Sequence, residues 1–296
     1  QRPRRWRRLL RRKLALTVTG AALLLALAGG TAATSVLAEP IDTNATISVV
    51  NGEVAINDNN KCSLMEAIIN ARATKAGQLY DDCKAGNLNG PDTVALPSGG
   101  TFILTAPHNS QFGPTGLPVI TAAVTIDGNG STIHRSKVTG TPYFRILAVD
   151  GDGDLTLRRT TIQGGGGGDS FRDFGSGIYN LGQLTVIDSA VVGGGAYSGS
   201  AIFNDNALVM IDTVIAGNSS ENGAAGLSNL GTATISGSLI TANWAFYYTG
   251  GILNSGDMVM INSTVSDNSS WENGAGGIEN YGTLTLTNVT VAHNST

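Results

Sequence analysis

A phrase close to Gly-Ile-x-Asn occurs five times in the second half of this 296-residue chain, and this repeat constrains the fold more than any other feature. The Asn residues that close the copies are Asn180, Asn204, Asn229, Asn254 and Asn280, so the steps are 24, 25, 25 and 26 residues. A repeat of this period is typical of solenoids and related arrays. A unit this short cannot bury its own apolar side chains, whereas a stack of such units can.

Within each copy the apolar residues alternate with polar ones. The last copy, "TLTLTNVTV", places Leu284 and Leu286 on one face of the chain and the intervening Thr residues on the other. This period of two indicates a strand with one buried face. Each unit holds three short strands of the kinds "GIEN", "TLTLT" and "VTVA", separated by Gly and Asn turns. The sequence therefore predicts an all-β, single-stranded parallel β-helix with about 25 residues per coil and, with degenerate copies in the first half, about seven or eight coils.

The repeated Asn residues are predicted to be structural. Asn tolerates left-handed backbone geometry at a bend, and its amide can pair with the coils above and below. A second column follows the third strand, and its members are Asn218, Asn243, Asn268 and Asn294.

Charge divides the chain into two parts. Residues 1–13 hold seven Arg and one Lys, and an uncharged apolar run and small residues follow up to Ala38. This pattern predicts a secretory signal peptide over residues 1–38, with an uncleaved signal anchor as the alternative. The pattern fits a signal peptide for either Sec or twin-arginine export. Beyond Ala38, ten basic residues face 22 acidic ones, a net charge of −12, which argues against nucleic acid as a partner.

A short segment before the repeats predicts an N-terminal cap. In "KCSLMEAIINARATKAG", Ser63 and Glu66 have the spacing of a capping box, and the apolar residues that follow recur with a helical period. A short amphipathic helix here would cover the open first coil. Because an exported chain favours disulfides, Cys62 and Cys83 are predicted to be bonded, with two free buried thiols as the alternative.

The segment "CSLMEAI" resembles the Cys-Ser-Leu-Arg-Glu-Ala motif of the CSLREA domain, found in exported bacterial proteins. Cys62, Ser63, Leu64, Glu66 and Ala67 match the motif, whereas a Met occupies the position of the Arg. With the repeats, the resemblance covers residues 45–296. It implies right-handed parallel β-helix repeats of the pectin-lyase-like type, a fold that carries polysaccharide lyases and glycosidases as well as adhesins.

No catalytic constellation emerges from the sequence. Asp188 and Asp212 match one coil apart, as a glycosidase pair would, but Asn and Gly replace Asp in later copies, which favours a turn-forming role. The "DGDGD" at residues 150–154 resembles a calcium loop but lacks the Gly and the distant Glu of an EF-hand. We therefore expect no cofactor, with calcium as a weak alternative. The three His residues lack metal-ligand spacing; they are His108, His134 and His293.

Aromatic residues concentrate in the variable loop after the third strand. Such loops on a rigid scaffold commonly carry function. The predicted ligand-binding edge consists of Phe171, Phe174, Tyr197, Trp244, Phe246, Tyr247, Tyr248 and Trp271. It would bind an extracellular glycan or a surface protein; alternatively, the rings pack on each other and shield the core.

Together these features predict an exported cell-surface or secreted scaffold that is adhesin-like or structural. The alternative is a polysaccharide lyase or glycoside hydrolase of the same fold. We expect a signal segment over 1–38, a cap over 39–100 and the β-helix over 101–296. The chain stops inside a finished repeat, so further coils or an anchoring domain are expected beyond it. Membrane contact is expected only through the signal segment or that anchor.

Overall fold

A computed structural model describes residues 44–72, 80–87, 90–166 and 174–296. The predicted signal peptide lies outside the described residues. The fold is an all-β, right-handed parallel β-solenoid with about 26 residues per turn and one short helix. The described residues belong to one compact unit, in which the cap and the coils share a hydrophobic core. The fold class predicted from the repeat is confirmed.

The single described helix is α1 (Leu64–Ala71), and short strands surround it in the sequence. Before the regular repeats the strands are β1 (Thr46–Ser48), β2 (Asp92–Ala95), β3 (Thr101–Leu104), β4 (Ala123–Arg135), β5 (Leu147–Val149) and β6 (Asp154–Gln163). The repeats contribute β7 (Ile178–Asn180), β8 (Gln183–Ile187), β9 (Ala190–Val192), β10 (Gly195–Ala196), β11 (Ile202–Asn204), β12 (Ala207–Ile211), β13 (Val214–Ala216), β14 (Ser219–Ser220), β15 (Leu227–Asn229), β16 (Thr232–Ser236), β17 (Leu239–Thr241), β18 (Trp244–Ala245), β19 (Ile252–Asn254), β20 (Asp257–Ile261), β21 (Thr264–Ser266), β22 (Ser269–Ser270), β23 (Ile278–Asn280), β24 (Thr283–Thr287) and β25 (Thr290–Ala292).

The strands stack into three faces and one narrow sheet. Face 1 contains β1, β2, the first halves of β4 and β6, then β8, β12, β16, β20 and β24. Face 2 contains β3, the second halves of β4 and β6, then β9, β13, β17, β21 and β25. Face 3 contains β5, β7, β11, β15, β19 and β23, and the edge sheet contains β10, β14, β18 and β22. All of these strand pairs are parallel.

The strand register follows the repeat period. Each Ile or Leu of the Gly-Ile-x-Asn phrase is paired with its copy in the next coil, as in Ile178↔Ile202 and Ile202↔Leu227. The turns that carry all three faces number about six, fewer than the seven or eight expected. The earliest coils contribute strands to faces 1 and 2, whereas the chain before β5 approaches face 3 through isolated bridges such as Ile120↔Val149 rather than through a strand.

Inward-pointing aliphatic side chains fill the solenoid. On face 1, Val186, Met210, Ile235 and Met260 succeed one another and are fully buried. Burial of such a side chain contributes about 1.5–3 kcal/mol, so the alternating pattern itself supplies the stacking energy. The outward positions of the same strands alternate between polar residues such as Thr234 and exposed aliphatic ones such as Val209 and Val259.

Two kinds of position turn the corners. Between faces 1 and 2, a column of residues has left-handed φ angles of 46–59°, and its members are Asp188, Asp212, Gly237, Asn262 and Asn288. The Asn residues of the repeated phrase behave differently. Asn180, for example, does not have a positive φ angle, so the left-handed geometry expected for this column is wrong. The Asn residues of the column have the other predicted role, in which the side-chain amides pair from coil to coil.

The amides of that first column form a buried hydrogen-bonded ladder along face 3. Each Nδ2 donates to the Oδ1 of the next Asn at 2.7 Å, from Asn180 through Asn204, Asn229 and Asn254 to Asn280. A second ladder runs along the far corner of face 2, where Asn218, Asn243, Asn268 and Asn294 are linked at 2.9–3.0 Å.

The cap lies against the first coils. Ser63 precedes α1, and its hydroxyl accepts from the Glu66 backbone N–H while the Glu66 carboxylate accepts from the Ser63 N–H, which makes a capping box. A disulfide joins Cys62 to Cys83, as predicted. Buried Asn70 donates to three carbonyls of the following loop, including that of Cys83. Met65, at the position of the motif's Arg, is buried in the core cluster.

Candidate functional site

The edge sheet gathers the variable loops on one side of the solenoid. Its pairing aligns Gly195, Ser219, Trp244 and Ser269 in one column. Backbone hydrogen bonds continue the register past the strands, since Phe246 donates to the Ser220 carbonyl and Trp271 to the Ala245 carbonyl. Each strand of this sheet has only two residues, and exposed rings such as Trp244 and Trp271 lie in or next to it.

A first edge cavity of about 340 Å³ lies on this sheet. Tyr143, Tyr197 and Trp244 contribute aromatic walls, and Gly195 and Ser219 are among the small residues that line it. The Tyr143 side chain is 61% exposed and that of Trp244 is 41% exposed. Aromatic surface with a few polar groups is typical of ligand sites, and this cavity combines both.

Local packing holds Tyr143 at the first edge cavity. A Cβ atom on Gly166 would lie 2.8 Å from the Tyr143 ring, so the absence of a side chain there allows the close approach. The Arg135 guanidinium also lies over the Tyr143 ring, 4.8 Å from its centroid. The same guanidinium donates to the carbonyls of Thr141 and Pro142, which restrains the segment that carries Tyr143.

A second edge cavity of about 380 Å³ lies beside the first. Tyr247, Tyr248, Tyr281 and Glu279 line it, together with Asn222. The chain neighbour of Asn222 is Glu221, which lines the first edge cavity, so adjacent residues of one loop serve both cavities.

The Glu279 carboxylate is held in place at the second edge cavity. One of its oxygens accepts from the hydroxyl of buried Thr249, and the other accepts from the Tyr281 hydroxyl. The hydrogen bond to Glu279, with the charge of that carboxylate, raises the pKa of Tyr281. The phenol therefore stays protonated and continues to orient the carboxylate.

The rings between the cavities contact one another. Trp244 and Phe246 meet edge to face at a centroid distance of 6.1 Å, and Phe246 and Tyr247 at 4.5 Å. Trp271 is 69% exposed and lines neither cavity. Mutual packing thus restrains part of the edge and leaves Trp271 and Tyr248 open to solvent.

Two residues predicted for the ligand-binding edge, Phe171 and Phe174, are not among the described residues that line the edge cavities. Phe171 lies outside the described residues. Phe174 stacks on Phe203 at 4.7 Å, and Phe203 in turn contacts Tyr179 of face 3 at 5.4 Å. Arg145 is buried beneath this second cluster, 4.8 Å from the Tyr179 ring centroid. Burial raises the pKa of Tyr179.

Sequence reasoning missed Tyr143, Tyr281 and Glu279. Tyr143 comes from an irregular segment before the repeats, where no period indicates its position. Glu279 and Tyr281 lie on either side of Asn280 in the last repeated phrase. Earlier copies carry other residues at these two positions, such as Tyr179 and Leu181 in the first copy. A comparison of the outward positions of this phrase, as well as of the loop, would have found them.

The acidic candidates of the sequence lie at corners and turns of the solenoid. Asp188 and Asp212 sit at left-handed corners, as turn formers do. Asp150 accepts from the Gly151 N–H and from the Gln111 amide. Throughout the described ranges, no three His, Cys, Asp or Glu residues come together in a way that could hold a metal ion.

Comparison with known proteins adds no relative: no protein-family model, curated protein or solved structure matches this chain.

In the part of the chain that the structure covers, no helix has the length and hydropathy needed to cross a bilayer.

Proposed function

We propose that this chain is an exported cell-surface or secreted scaffold whose aromatic edge binds a glycan. The observation that carries the proposal is the first edge cavity, in which Tyr143, Tyr197 and Trp244 rise around small residues. Flat aromatic faces suit the apolar faces of sugar rings, and nearby Ser and Glu groups suit their hydroxyls. A rigid β-solenoid holds such rings in register along its length.

Three features support export and the family assignment. The disulfide between Cys62 and Cys83 is typical of oxidising compartments. Residues 1–38 have the pattern of a signal peptide. The "CSLMEAI" segment resembles the CSLREA motif, and its Ser63 and Glu66 form the helix cap described above. We propose on this basis that the chain is an adhesin-like member of that group with a pectin-lyase-like β-helix.

The alternative, a lyase or hydrolase acting on acidic polysaccharide, has less support. The lyases of this fold use a basic residue. The coils that carry the edge loops, residues 174–296, contain eight Asp and Glu and no Lys or Arg, and in the earlier coils Arg158 and Arg159 are paired with Asp127. An acidic polysaccharide would be repelled by such a surface. The third candidate function is that of a purely structural element of an extracellular matrix, which requires no ligand at the edge.

The test is glycan binding by the full chain on a panel of neutral, acidic and amino polysaccharides. We expect the Trp244→Ala, Trp271→Ala double variant to lose at least about tenfold in affinity, since one aromatic ring contributes about 1 kcal/mol or more to such contacts. Val259→Ala, which removes an exposed apolar side chain on face 1, is the matched control and should bind normally. Unchanged far-UV circular dichroism confirms that the double variant is folded.

Two outcomes contradict the proposal. If the double variant binds the panel as well as the wild type does, the edge is not the binding surface. If incubation with the panel, with or without calcium, yields new reducing ends or unsaturated products, the chain is an enzyme.

A further inference from the structure

We propose that the second edge cavity binds the protonated amino group of an amino-sugar glycan. This inference rests on the proposed glycan-binding function and deepens it by assigning the charge of the ligand. The cavity is lined by Tyr247, Tyr248 and Tyr281 around the Glu279 carboxylate.

The charge of the surrounding chain selects against anions. Between residues 174 and 296 the sequence has no basic side chain other than His293, and it has eight carboxylates. Two of these, Glu221 and Glu279, line the two edge cavities. Arg135 lies at the Tyr143 end of the first edge cavity, whereas none of the described residues that line the second is basic. A negatively charged sugar would therefore be disfavoured at the second cavity, and a cation would be attracted there.

The Glu279 carboxylate is oriented but not neutralised. Its two hydrogen bonds come from the uncharged hydroxyls of Thr249 and Tyr281. No salt bridge to Glu279 occurs among the described residues. Each carboxylate oxygen accepts more than one hydrogen bond, so both retain capacity for an ammonium donor.

The three tyrosines supply the other half of a cation site. Tyr247, Tyr248 and Tyr281 are 40%, 48% and 74% exposed as whole residues, so a ligand can reach them. Aromatic faces attract organic cations through the ring quadrupole, and cages of several aromatic rings are used to bind amines. A carboxylate within such a cage adds a direct charge pair.

The neighbouring residues favour a sugar over a peptide lysine as the source of the amine. Asn222 and Asn273 also line the second edge cavity, and their amides can pair with the hydroxyls that flank the amino group on a sugar ring. The first edge cavity begins at Glu221, next in the chain to Asn222. An oligosaccharide can therefore place an amino sugar in the second cavity and its neighbouring sugar in the first.

The experiment compares a glucosamine oligosaccharide with the N-acetylglucosamine oligosaccharide of the same length, because acetylation removes the charge and retains the ring. Calorimetric titration of the full chain is done at low salt and at a pH that protonates the amine. We expect the glucosamine form to bind about tenfold more tightly, with a preference that weakens as salt is added. Glu279→Gln should reduce the preference to about parity.

Two further variants separate charge from shape. Glu272→Gln removes an exposed carboxylate of the same edge that is not among the residues lining either cavity, and it should retain the full preference. Tyr281→Phe keeps the ring and loses the hydroxyl that orients Glu279, so the preference should fall partway. Circular dichroism of each variant shows whether the fold is intact.

The outcomes distinguish this inference from the proposed function. Equal binding of both oligosaccharides that is lost in Trp244→Ala would overturn the amino-sugar assignment and leave the glycan-binding proposal standing. A preference that survives Glu279→Gln would also overturn the assignment. Binding of neither oligosaccharide overturns the assignment alone if another glycan of the panel binds, and both proposals if none does. A lysine-rich peptide that displaces the glucosamine form and binds more tightly would reassign the cavity to a protein partner.

Discussion

At the scale of single residues, the solenoid depends on positions that tolerate left-handed backbone. The corner after face 2 has φ values of 53–68°, and the residues that occupy it are Gly164, Gly193, Gly217, Ala242, Asp267 and His293. Gly adopts this conformation without steric cost, whereas a residue with a Cβ atom does not. Chemically different residues therefore occupy one backbone position of the repeat, and those with a Cβ atom are strained there.

Ala242 is the clearest of these strained residues. It has a φ of 53° and an exposed side chain, so little packing would be lost on its removal. We expect Ala242→Gly to raise the free energy of unfolding by about 0.5–1 kcal/mol, the relief of strain less the added entropy of the unfolded chain. Urea denaturation measures this change.

The control for Ala242→Gly is Ala216→Gly in strand β13, where no positive φ occurs. This control should destabilise the protein by about 0.5–1 kcal/mol, since Gly within a regular strand loses more conformational freedom. Destabilisation of similar size in both variants would show that the corner at Ala242 is not strained.

At the scale of elements, side-chain ladders supplement the pairing of very short strands. Strands of face 3 such as β15 contain only three residues, so each forms few backbone hydrogen bonds. The Asn229 amide compensates for this, because it accepts from Asn204 and donates to Asn254, both at 2.7 Å, and is fully buried. Buried and fully partnered amides of this kind fix the register of one coil on the next.

Substitution of one ladder residue tests this role. We expect Asn229→Ala to lower the free energy of unfolding by about 2–3 kcal/mol. The substitution removes both ladder hydrogen bonds and the bond from Asn229 Nδ2 to the Gly231 carbonyl, and it leaves the side-chain oxygen of Asn254 without its donor. Asn206→Ala is the matched control: Asn206 is exposed and makes one hydrogen bond to the Leu181 carbonyl, so its loss should cost about 0.5 kcal/mol or less. Equal effects of the two substitutions in chemical denaturation would refute a special role for the ladder.

At the scale of the whole molecule, stability is expected to be distributed unequally along the stack. Each coil of a solenoid contacts mainly its neighbours, so the first coils depend on the cap. Three interactions hold the cap itself together: the capping box of α1, the hydrogen bonds of Asn70 to the following loop, and the disulfide.

Removal of the disulfide tests the contribution of the cap. Cys62 and Cys83 are 21 residues apart, and closing a loop of this length stabilises a folded chain by about 3 kcal/mol. We expect the Cys62→Ser, Cys83→Ser double variant to unfold at lower urea concentration by that amount, with hydrogen exchange rising first in β1 to β3. Reduction of the wild type should reproduce the effect, and an unchanged midpoint in either case would show that the disulfide is dispensable.

The sequence by itself determined the architecture, because in a solenoid the repeat period is also the strand register. The Ile, Leu and Asn residues that recur in the sequence are the same residues that form columns in the stack. The patterns at Ser63, Glu66 and the two Cys residues also predicted their contacts, because these contacts join residues that are close in the sequence. Only the tertiary structure decided which outward side chains meet. Tyr143 reaches the first edge cavity from an irregular segment, and Glu279 and Tyr281 reach the second from face 3. Their meeting with the loop aromatics depends on how tightly the chain turns between faces, which is set by packing around the corners and leaves no periodic mark in the sequence.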